Sequence, residues 1–231
     1  RGGPGGGGGG VAVAAAAPIA ATDADHGVLA SVSGLAPVDV LLGLPTLREP
    51  DAVQAAETLR FEVEPLAGAA AYRARLATDA GMVEAFAETD TVEGEVGFGF
   101  GEPVPDGRYF VRLTALSPAG LEGRPRTYSV LRVRNVLDRL TASPFRQDGR
   151  RFYRFRWRAG GEGDARFRFR LWTADDLDAP PVVDRPGLSS DDLTISDLPP
   201  GNYEWRVEAV RERFGRSVGV WSDVQALHVG R

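Results

Sequence analysis

The second half of the chain repeats the first half, and this repeat constrains the fold more than any other feature. Residues 72–78 match residues 167–173 at an offset of 95, and residues 105–113 match residues 199–207 at an offset of 94. Residues 59–63 also match residues 153–157 at an offset of 94. Matches in the same order, with one small insertion, indicate two copies of one structural module.

Each copy alternates apolar and charged residues with a period of two, as in a strand with one buried face. The matching apolar residues are Leu59, Phe61 and Val63 in the first copy and Tyr153, Phe155 and Trp157 in the second. Turn signals with proline and glycine follow, at residues 105–107 and 199–201. Short strands without a long helical period predict an all-β fold of two tandem antiparallel β-sandwiches. Residues 80–89 are predicted to form a short strand or a turn.

Composition agrees with two packed domains. The length of 231 residues suits two domains of about 100 residues each. With 43% hydrophobic and 26% charged residues, the chain can bury a core, and wholesale disorder is excluded. The absence of Cys excludes disulfides and thiolate metal sites. A net charge of −5 argues against nucleic acid as a partner. No stretch of about 20 strongly apolar residues occurs, so we expect no membrane insertion of this chain.

A Gly/Ala-rich segment precedes the two copies. Residues 1–10 are typical of a flexible linker. Residues 11–24 resemble a signal-peptide core only weakly, and we favour a linker or a domain tail. Because the chain begins with Arg1 rather than Met, we expect a fragment or a processed product. The predicted domains are this segment (residues 1–43), the first sandwich (44–134) and the second sandwich (135–231).

One motif is specific enough to suggest a family of modules. The pattern Pro-x-Gly-x-Tyr-x-(Val/Trp)-Arg-(Leu/Val) occurs in each copy, with Tyr109 and Tyr203 as its tyrosines. It resembles the E–F corner and the F strand of fibronectin type III-like modules. The resemblance implies that each tyrosine hydroxyl hydrogen-bonds nearby backbone. Trp157 stands where these modules carry a core tryptophan, and residues 219–223 resemble the Trp-Ser segment that often precedes the last strand.

A more particular likeness is to the C-terminal region of bacterial FecR-domain proteins. The segments that carry it are residues 36–45, 68–79, 105–112 and 120–123. In that family an extracytoplasmic β-domain, sometimes preceded by a peptidoglycan-binding LysM module, is followed by two such sandwiches. The resemblance covers about residues 27–231 and implies a periplasmic or cell-envelope location. It also implies that residues 11–35 are the tail of an upstream FecR-type domain, although most of that domain and any LysM module are missing.

The sequence offers no catalytic constellation, so we expect no enzyme activity, no cofactor and no metal. The two histidines, His26 and His228, lie in opposite terminal regions, and a lone strand histidine is more often solvated than a base. Motifs for a nucleophile elbow, a zinc protease or a phosphate-binding loop do not occur. The oxygen-rich residues 175–178 and 189–192 lack the spacing of a calcium loop and are predicted to be polar turns.

Arginines and tryptophans of the second copy supply the candidate binding residues. Two arginine rows are predicted to face outward: Arg154, Arg156 and Arg158 in one strand, and Arg166, Arg168 and Arg170 in the next. The aromatics interleaved with these arginines face the core, because the strand period is two. We expect Glu204 and Glu208 to form ion pairs with Arg168 and Arg170.

The four residues selected as binding candidates are Trp172, Trp221, Arg168 and Arg170. Exposed indoles would bind a glycan, and the alternative for both tryptophans is that they fill the core or a sheet edge. The arginines would bind an anionic partner, and the alternative is a solvated face laced with ion pairs.

The connection between the copies predicts a semi-rigid pair. Residues 134–137 are too short for free tumbling, and we expect a modest interface. In residues 1–135, 11 Arg stand against 17 acidic residues, whereas residues 136–231 contain 16 Arg and 15 acidic residues. The charge difference predicts a weak contact between the acidic first copy and the arginine-rich second copy.

The function predicted first is that of a non-enzymatic cell-envelope protein fragment. Its sandwiches would act as spacer and interaction modules of a FecR-domain protein, with an envelope protein or peptidoglycan as partner. Two alternatives remain open. The sandwiches themselves bind carbohydrate or peptidoglycan, or the chain is the extracytoplasmic part of an anti-sigma signalling regulator.

Overall fold

The computed structural model describes residues 26–27, 30–31, 34–35, 39–101, 103–174 and 179–230. These residues form strands, turns and irregular segments, and none of them belongs to a helix of the length and apolarity that would span a bilayer. The chain divides into two compact units, residues 1–41 and residues 42–231.

The first unit is described only in short pieces. Its strands are β1 (His26–Gly27), β2 (Ala30–Ser31), β3 (Gly34–Leu35) and β4 (Asp39–Val40). Strand β1 pairs antiparallel with β4, and β2 pairs antiparallel with β3. The segment interpreted as a linker or a domain tail falls largely outside the described residues.

Six strands among the described residues of the second unit form the first sandwich. They are β5 (Leu59–Glu62), β6 (Ala71–Ala77), β7 (Ala85–Asp90), β8 (Gly97–Phe100), β9 (Gly107–Leu116) and β10 (Arg126–Arg132). One antiparallel sheet has the order β10-β9-β6-β7, and β5 and β8 form the opposite sheet. Within residues 80–89, where a strand or a turn is predicted, turns lead into β7.

The predicted alternation of apolar and charged residues is present in the strands that line the core of the first sandwich. Leu59, Phe61 and Val63 are buried, whereas Arg60 and Glu62 between them are exposed. The core is completed by the inward residues of the facing strands, among them Tyr72, Leu76, Phe98, Phe100, Val111 and Leu113. Phe61 and Phe98 stack with their ring centroids 5.3 Å apart, so aromatic packing joins β5 to β8.

In residues 136–174 and 179–230, eight described strands form the second sandwich. They are β11 (Val136–Gln147), β12 (Arg150–Gly160), β13 (Arg166–Thr173), β14 (Val183–Leu188), β15 (Asp192–Ser196), β16 (Gly201–Arg213), β17 (Arg216–Trp221) and β18 (Gln225–Val229). One sheet has the order β11-β12-β15. The other has the order β14-β13-β16-β17, and β18 also pairs with β16.

The second core is dominated by aromatic rings. Trp205 lies 5.1 Å from Phe155 and 5.7 Å from Phe169, measured between ring centroids. Trp157 is 3% exposed and packs on Phe167 at 5.5 Å, which confirms its predicted place in the core. Each such ring contact adds about 0.5–1.5 kcal/mol to the stabilisation from burial alone.

Both sandwiches carry the predicted tyrosine corner. The hydroxyl of Tyr109 donates to the carbonyl of Pro105 at 3.0 Å, and that of Tyr203 donates to Pro199 at 2.9 Å. Burial raises the pKa of both tyrosines, so the hydroxyls remain donors. Together with the strand order of the two facing sheets, these corners confirm two fibronectin type III-like β-sandwiches.

The two sandwiches differ in their initial strand. Strand β11 pairs with β12 along most of its length. Among the described residues of the first sandwich, an isolated bridge joins Leu47 to Val63, and the chain turns away at Glu49, whose φ is 46°. It then runs parallel to the last strand, where Gln54 bridges to Arg132. The first sandwich therefore begins with a segment of isolated bridges, residues 47–54, that passes from one sheet to the other.

The tyrosine corner of the second sandwich can be tested by removing one hydroxyl. We expect Tyr203→Phe to lower the free energy of unfolding by about 1 kcal/mol, because the ring stays packed and only the hydrogen bond to Pro199 is lost. Urea unfolding followed by tryptophan fluorescence measures this change, since all four tryptophans lie in the second sandwich.

Tyr153 provides the matched control, because its hydroxyl makes no hydrogen bond among the described residues, although its ring is equally buried. Tyr153→Phe should change the stability by less than about 0.5 kcal/mol. Equal losses in the two variants would contradict a specific role for the corner.

Candidate functional site: the junction and the tryptophan–arginine ladder

The connection between the sandwiches is short and buried. Strand β10 ends at Arg132 and β11 begins at Val136. A small hydrophobic cluster covers this connection: Leu131 and Val133 pack with Val218 of the second sandwich, and Val53 and Ala55 lie against them. Because side chains of both sandwiches share this cluster, the connection is a packed interface rather than a free linker.

Asn135 is the centre of this junction. It is 1% exposed, and its Nδ2 donates to the carbonyls of Ala209 at 2.8 Å and Val218 at 2.9 Å. Its backbone N–H donates to the carbonyl of Ala55 at 2.9 Å. The Nε of Arg211 donates to Asn135 Oδ1 at 3.2 Å. One asparagine therefore joins the first sandwich to two strands of the second.

Two buried arginines brace the junction from either side. Arg132 is 2% exposed and donates to the carbonyls of Gln54 at 2.9 Å and Glu57 at 2.9 Å. Arg211 is 3% exposed and donates to the carbonyl of Glu162 at 3.1 Å. Burial lowers the pKa of both guanidiniums from the ordinary arginine value. Backbone carbonyls thus supply the acceptors that a buried guanidinium needs.

An acidic side chain of the first sandwich meets a basic one of the second. The carboxylate of Asp106, whose side chain is 1% exposed, lies 3.6 Å from Nε of Arg213. Asp106 Oδ1 also accepts the N–H of Arg134 at 2.7 Å, and Glu162 pairs with Arg213 at 3.0 Å. The structure thus contains a contact of the kind that the charge difference between the copies predicts.

Gly161 allows the two sandwiches to approach closely at this point. Its φ is +132°, and a Cβ there would lie 2.0 Å from the carbonyl oxygen of Arg134. No other residue fits that backbone conformation and that space. Gly161, which directly follows β12, is therefore a requirement of the junction.

Three of the four candidate binding residues meet on the outer face of the β14-β13-β16-β17 sheet. The guanidinium of Arg206 lies 5.3 Å from the ring centroid of Trp172 and 4.4 Å from that of Trp221. The guanidinium of Arg170 lies 5.3 Å from the ring centroid of Trp221. Rings and guanidiniums alternate, and we call Trp172, Arg206, Trp221 and Arg170 the tryptophan–arginine ladder.

The fourth candidate, Arg168, lies beside the ladder and is bound to Asp184 of β14. Its Nε and NH2 donate to the two carboxylate oxygens at 2.8 and 2.6 Å, and Arg170 Nε adds a contact at 3.3 Å. These bonds, that from Arg168 foremost, lower the pKa of Asp184 below its ordinary value of about 3.9. The pair therefore stabilises the fold above about pH 4, and this contribution is lost as the pH falls through the folded-state pKa.

The expected ion pairs of Arg168 and Arg170 with Glu204 and Glu208 are not formed; this expectation was wrong. The register sets Arg170 opposite Arg206 and Arg168 opposite Glu208, yet the carboxylate within reach of both is Asp184 on the other neighbouring strand. The bidentate geometry of Arg168 with Asp184 explains the preference. The like charges of Arg170 and Arg206 are separated by the indole of Trp221.

The ladder limits what the two indoles can bind. Trp172 is 8% exposed, and Trp221 is half-buried with a guanidinium against it from each of two strands. Stacking on a sugar requires a free indole face, which Trp172 lacks. Trp172 lies on the outer face of β13, and Trp221 is the last residue of β17. Binding by these four residues stays a prediction.

The Trp-Ser segment lies between the last two strands, both of which pair with β16. Strand β17 ends at Trp221, and β18 begins four residues later at Gln225. Between them the N–H of Ser222 donates to the carbonyl of Val207 at 2.8 Å, and Ser222 Oγ accepts the N–H of Val207 at 3.1 Å. Ser222 thus pairs with both backbone groups of Val207 on β16 between the two strands, and it fixes the position of the neighbouring Trp221 in the ladder.

Two further sequence candidates, His228 and residues 189–192, lie within the described part of the chain. His228 faces outward on β18, with Nδ1 2.8 Å from Oδ1 of Asn202. Residues 175–178 lie outside the described residues. In residues 189–192, Ser190 donates to the carbonyl of Asp192 at 3.1 Å, as in a local polar turn.

An open groove lies on the first sandwich where the initial strand departs. It has a volume of about 1440 Å³ and is lined by residues 46–50, Ala52, Gln54, β5, β8, Arg126 and Tyr128. The hydroxyl of Tyr128 accepts the N–H of Leu47 at 3.0 Å and donates to the carbonyl of Pro45 at 2.9 Å. The groove results from the sheet switch, which no local sequence pattern predicts.

The ladder can be tested by removing its central guanidinium. We expect Arg206→Ala to lower the free energy of unfolding by about 1–2 kcal/mol, since each guanidinium–indole contact contributes about 0.5–1 kcal/mol and more when desolvated. Urea unfolding followed by tryptophan fluorescence measures the loss. Exposed Arg166 on β13 is the matched control, and Arg166→Ala should change stability by less than about 0.5 kcal/mol. Equal effects would contradict the ladder.

Comparisons with known proteins do not by themselves assign the fold. No family model matches the sequence. No curated protein matches it either. Among 219 matching chains of solved structures is that of the FN1–FN3 domains of chicken CNTN1, with 14% sequence identity. The match covers 88% of this chain and 76% of that chain, with a TM-score of 0.40. The fibronectin type III-like assignment therefore rests on the strand order and the tyrosine corners described above.

Proposed function

We propose that this chain is a non-enzymatic interaction module that holds its two sandwiches in one fixed relative orientation. It would act as a spacer in a bacterial cell-envelope protein, downstream of a FecR-type domain. The observation that carries this proposal is the buried junction around Asn135, which replaces a flexible linker by packed and hydrogen-bonded contacts.

The polar groups of the junction make its geometry specific. Apolar contacts alone tolerate sliding, whereas buried hydrogen bonds lose much of their energy when donors and acceptors move apart. Asn135, Arg132 and Arg211 are each 3% exposed or less, so any hinge motion would leave buried donors without acceptors. A fixed orientation is useful for a module that presents loops or another domain at a set distance.

The envelope location is supported by sequence likeness. The four segments that resemble FecR-domain proteins lie in the connection before the first sandwich and in that sandwich itself. Glycan binding through Trp172 and Trp221 is less well supported, because the guanidinium of Arg206 already lies against both indoles.

The fixed orientation can be measured by pulsed electron spin resonance. The chain has no Cys, so Val83→Cys and Ser189→Cys place one spin label on an exposed position of each sandwich. We expect one narrow distance distribution. Adding Asn135→Ala removes two hydrogen bonds to buried carbonyls and should broaden that distribution.

The other asparagine of the chain, exposed Asn202, is the matched control, and Asn202→Ala should leave the distribution narrow. A broad distribution in the parent chain would overturn the spacer proposal. So would an unchanged distribution after Asn135→Ala in a chain that remains folded by circular dichroism.

The location can be tested independently of the junction. Fractionation of the source cells, followed by detection with an antibody raised against this chain, should place the protein in the envelope fraction. Recovery in the cytoplasmic fraction alone would overturn the envelope part of the proposal and leave the spacer part intact.

A further inference from the structure

The outer face of the β11-β12-β15 sheet carries a second cluster of arginines. On β12 the residues Tyr153, Phe155 and Trp157 face the core. The residues between them face outward, and Arg154, Arg156 and Arg158 are exposed. Alternate residues of a strand lie about 6.6 Å apart, so these guanidiniums form an evenly spaced row.

An aromatic pair lies at one end of this row. Phe145 of β11 stands opposite Phe152 of β12, and their rings stack at 5.2 Å with an angle of 18°. The guanidinium of Arg154 lies 5.2 Å from the Phe145 centroid, and that of Arg150 lies 5.7 Å from the Phe152 centroid. Each ring is thus engaged by its partner ring and by a guanidinium.

Among the described residues, the ends of this arginine row form ion pairs with carboxylates, whereas its middle does not. Arg158 pairs with Asp138, and Arg150 pairs with Asp197. Within the described part of the chain, Arg154 and Arg156 form no ion pair, although Asp192 stands opposite Arg156 in the register. A guanidinium that stacks on a ring, as Arg154 does, still directs its N–H edges outward to acceptors.

Hydroxyl side chains flank the two open arginines. Ser143 of β11 and Thr194 of β15 stand on either side of Arg154, and Thr141 stands beside Arg156. All three of these residues are exposed. We name this surface, made of Arg154, Arg156, Thr141, Ser143 and Thr194, the arginine–hydroxyl face.

We propose that the arginine–hydroxyl face binds an anionic polysaccharide. Two guanidiniums at strand spacing bind successive carboxylate, sulfate or phosphate groups of the polymer, and the flanking hydroxyls hydrogen-bond to its sugar hydroxyls. A single-stranded nucleic acid fits less well, because its bases need free aromatic faces and the rings here are already stacked. An acidic peptide would make no comparable use of the hydroxyls. The site goes beyond the spacer function and does not depend on it.

The test is isothermal titration calorimetry of the full chain with defined polymers. Polygalacturonate supplies carboxylates and heparin supplies sulfates, whereas neutral dextran, poly-glutamate and an oligothymidylate of about 20 nucleotides represent the other classes. We expect both anionic glycans to bind at about 0.05 M salt and to bind more weakly at about 0.3 M. Dextran should not bind.

Two charge-removing variants separate the site from general electrostatics. Arg154→Gln with Arg156→Gln should weaken glycan binding by about tenfold, since charge-assisted contacts are the strong ones. The control removes the same charge at two exposed arginines elsewhere, Arg108→Gln with Arg216→Gln, and should change affinity less than about twofold. Arg156→Gln alone, which removes no described contact, shows the effect without disturbing the Phe145 stack.

Several outcomes would overturn the proposal. They are equal weakening in the control, absence of binding to both anionic glycans, and tighter binding of poly-glutamate or of the oligothymidylate. Preference for one glycan over the other would identify the anionic group that the face selects and would support the site.

Discussion

The requirement that buried polar groups find partners is the constraint on which this structure depends. At the junction Arg132, Asn135 and Arg211 have almost no contact with solvent, so carbonyl and amide groups around them must supply every hydrogen bond. Those acceptors come from β16, from β17 and from the loop before β5. The network therefore joins three distant parts of the sequence and defines how the two sandwiches meet.

Arginine serves three different purposes in this chain, whose 27 basic side chains are all arginine. At the junction the guanidinium is buried and saturates backbone carbonyls. On the outer face of the β14-β13-β16-β17 sheet it alternates with indoles and pairs with Asp184. On the opposite sheet it stacks on phenylalanines and leaves two charges open. Lysine could replace none of the stacked or forked contacts without loss, because its ammonium is neither planar nor bidentate.

Much of the fold follows from local periodicity, whereas the contacts that matter for function do not. Alternation along β5 and β12 predicted the cores, and the motif around Tyr109 and Tyr203 predicted the corners. The partner of Arg168 was missed because a central strand has two neighbours and alternation does not choose between them. Phe152 lies two residues before Arg154, so the alternation of β12 already placed its side chain on the outer face. Its stacking on Phe145 could not be predicted, because it depends on the register between β11 and β12. Asn135 carries no local signal at all.

The unequal initial strands have a mechanical consequence. A pull along the chain loads β11 in shear against β12, so many backbone hydrogen bonds resist together. In the first sandwich the segment that takes the same load is fastened near Leu47 by few backbone bonds before it leaves the sheet. Only residues 133–135 separate β10 from β11, so tension passes directly from one sandwich to the other. Fewer backbone hydrogen bonds oppose a pull at the start of the first sandwich than at the start of the second.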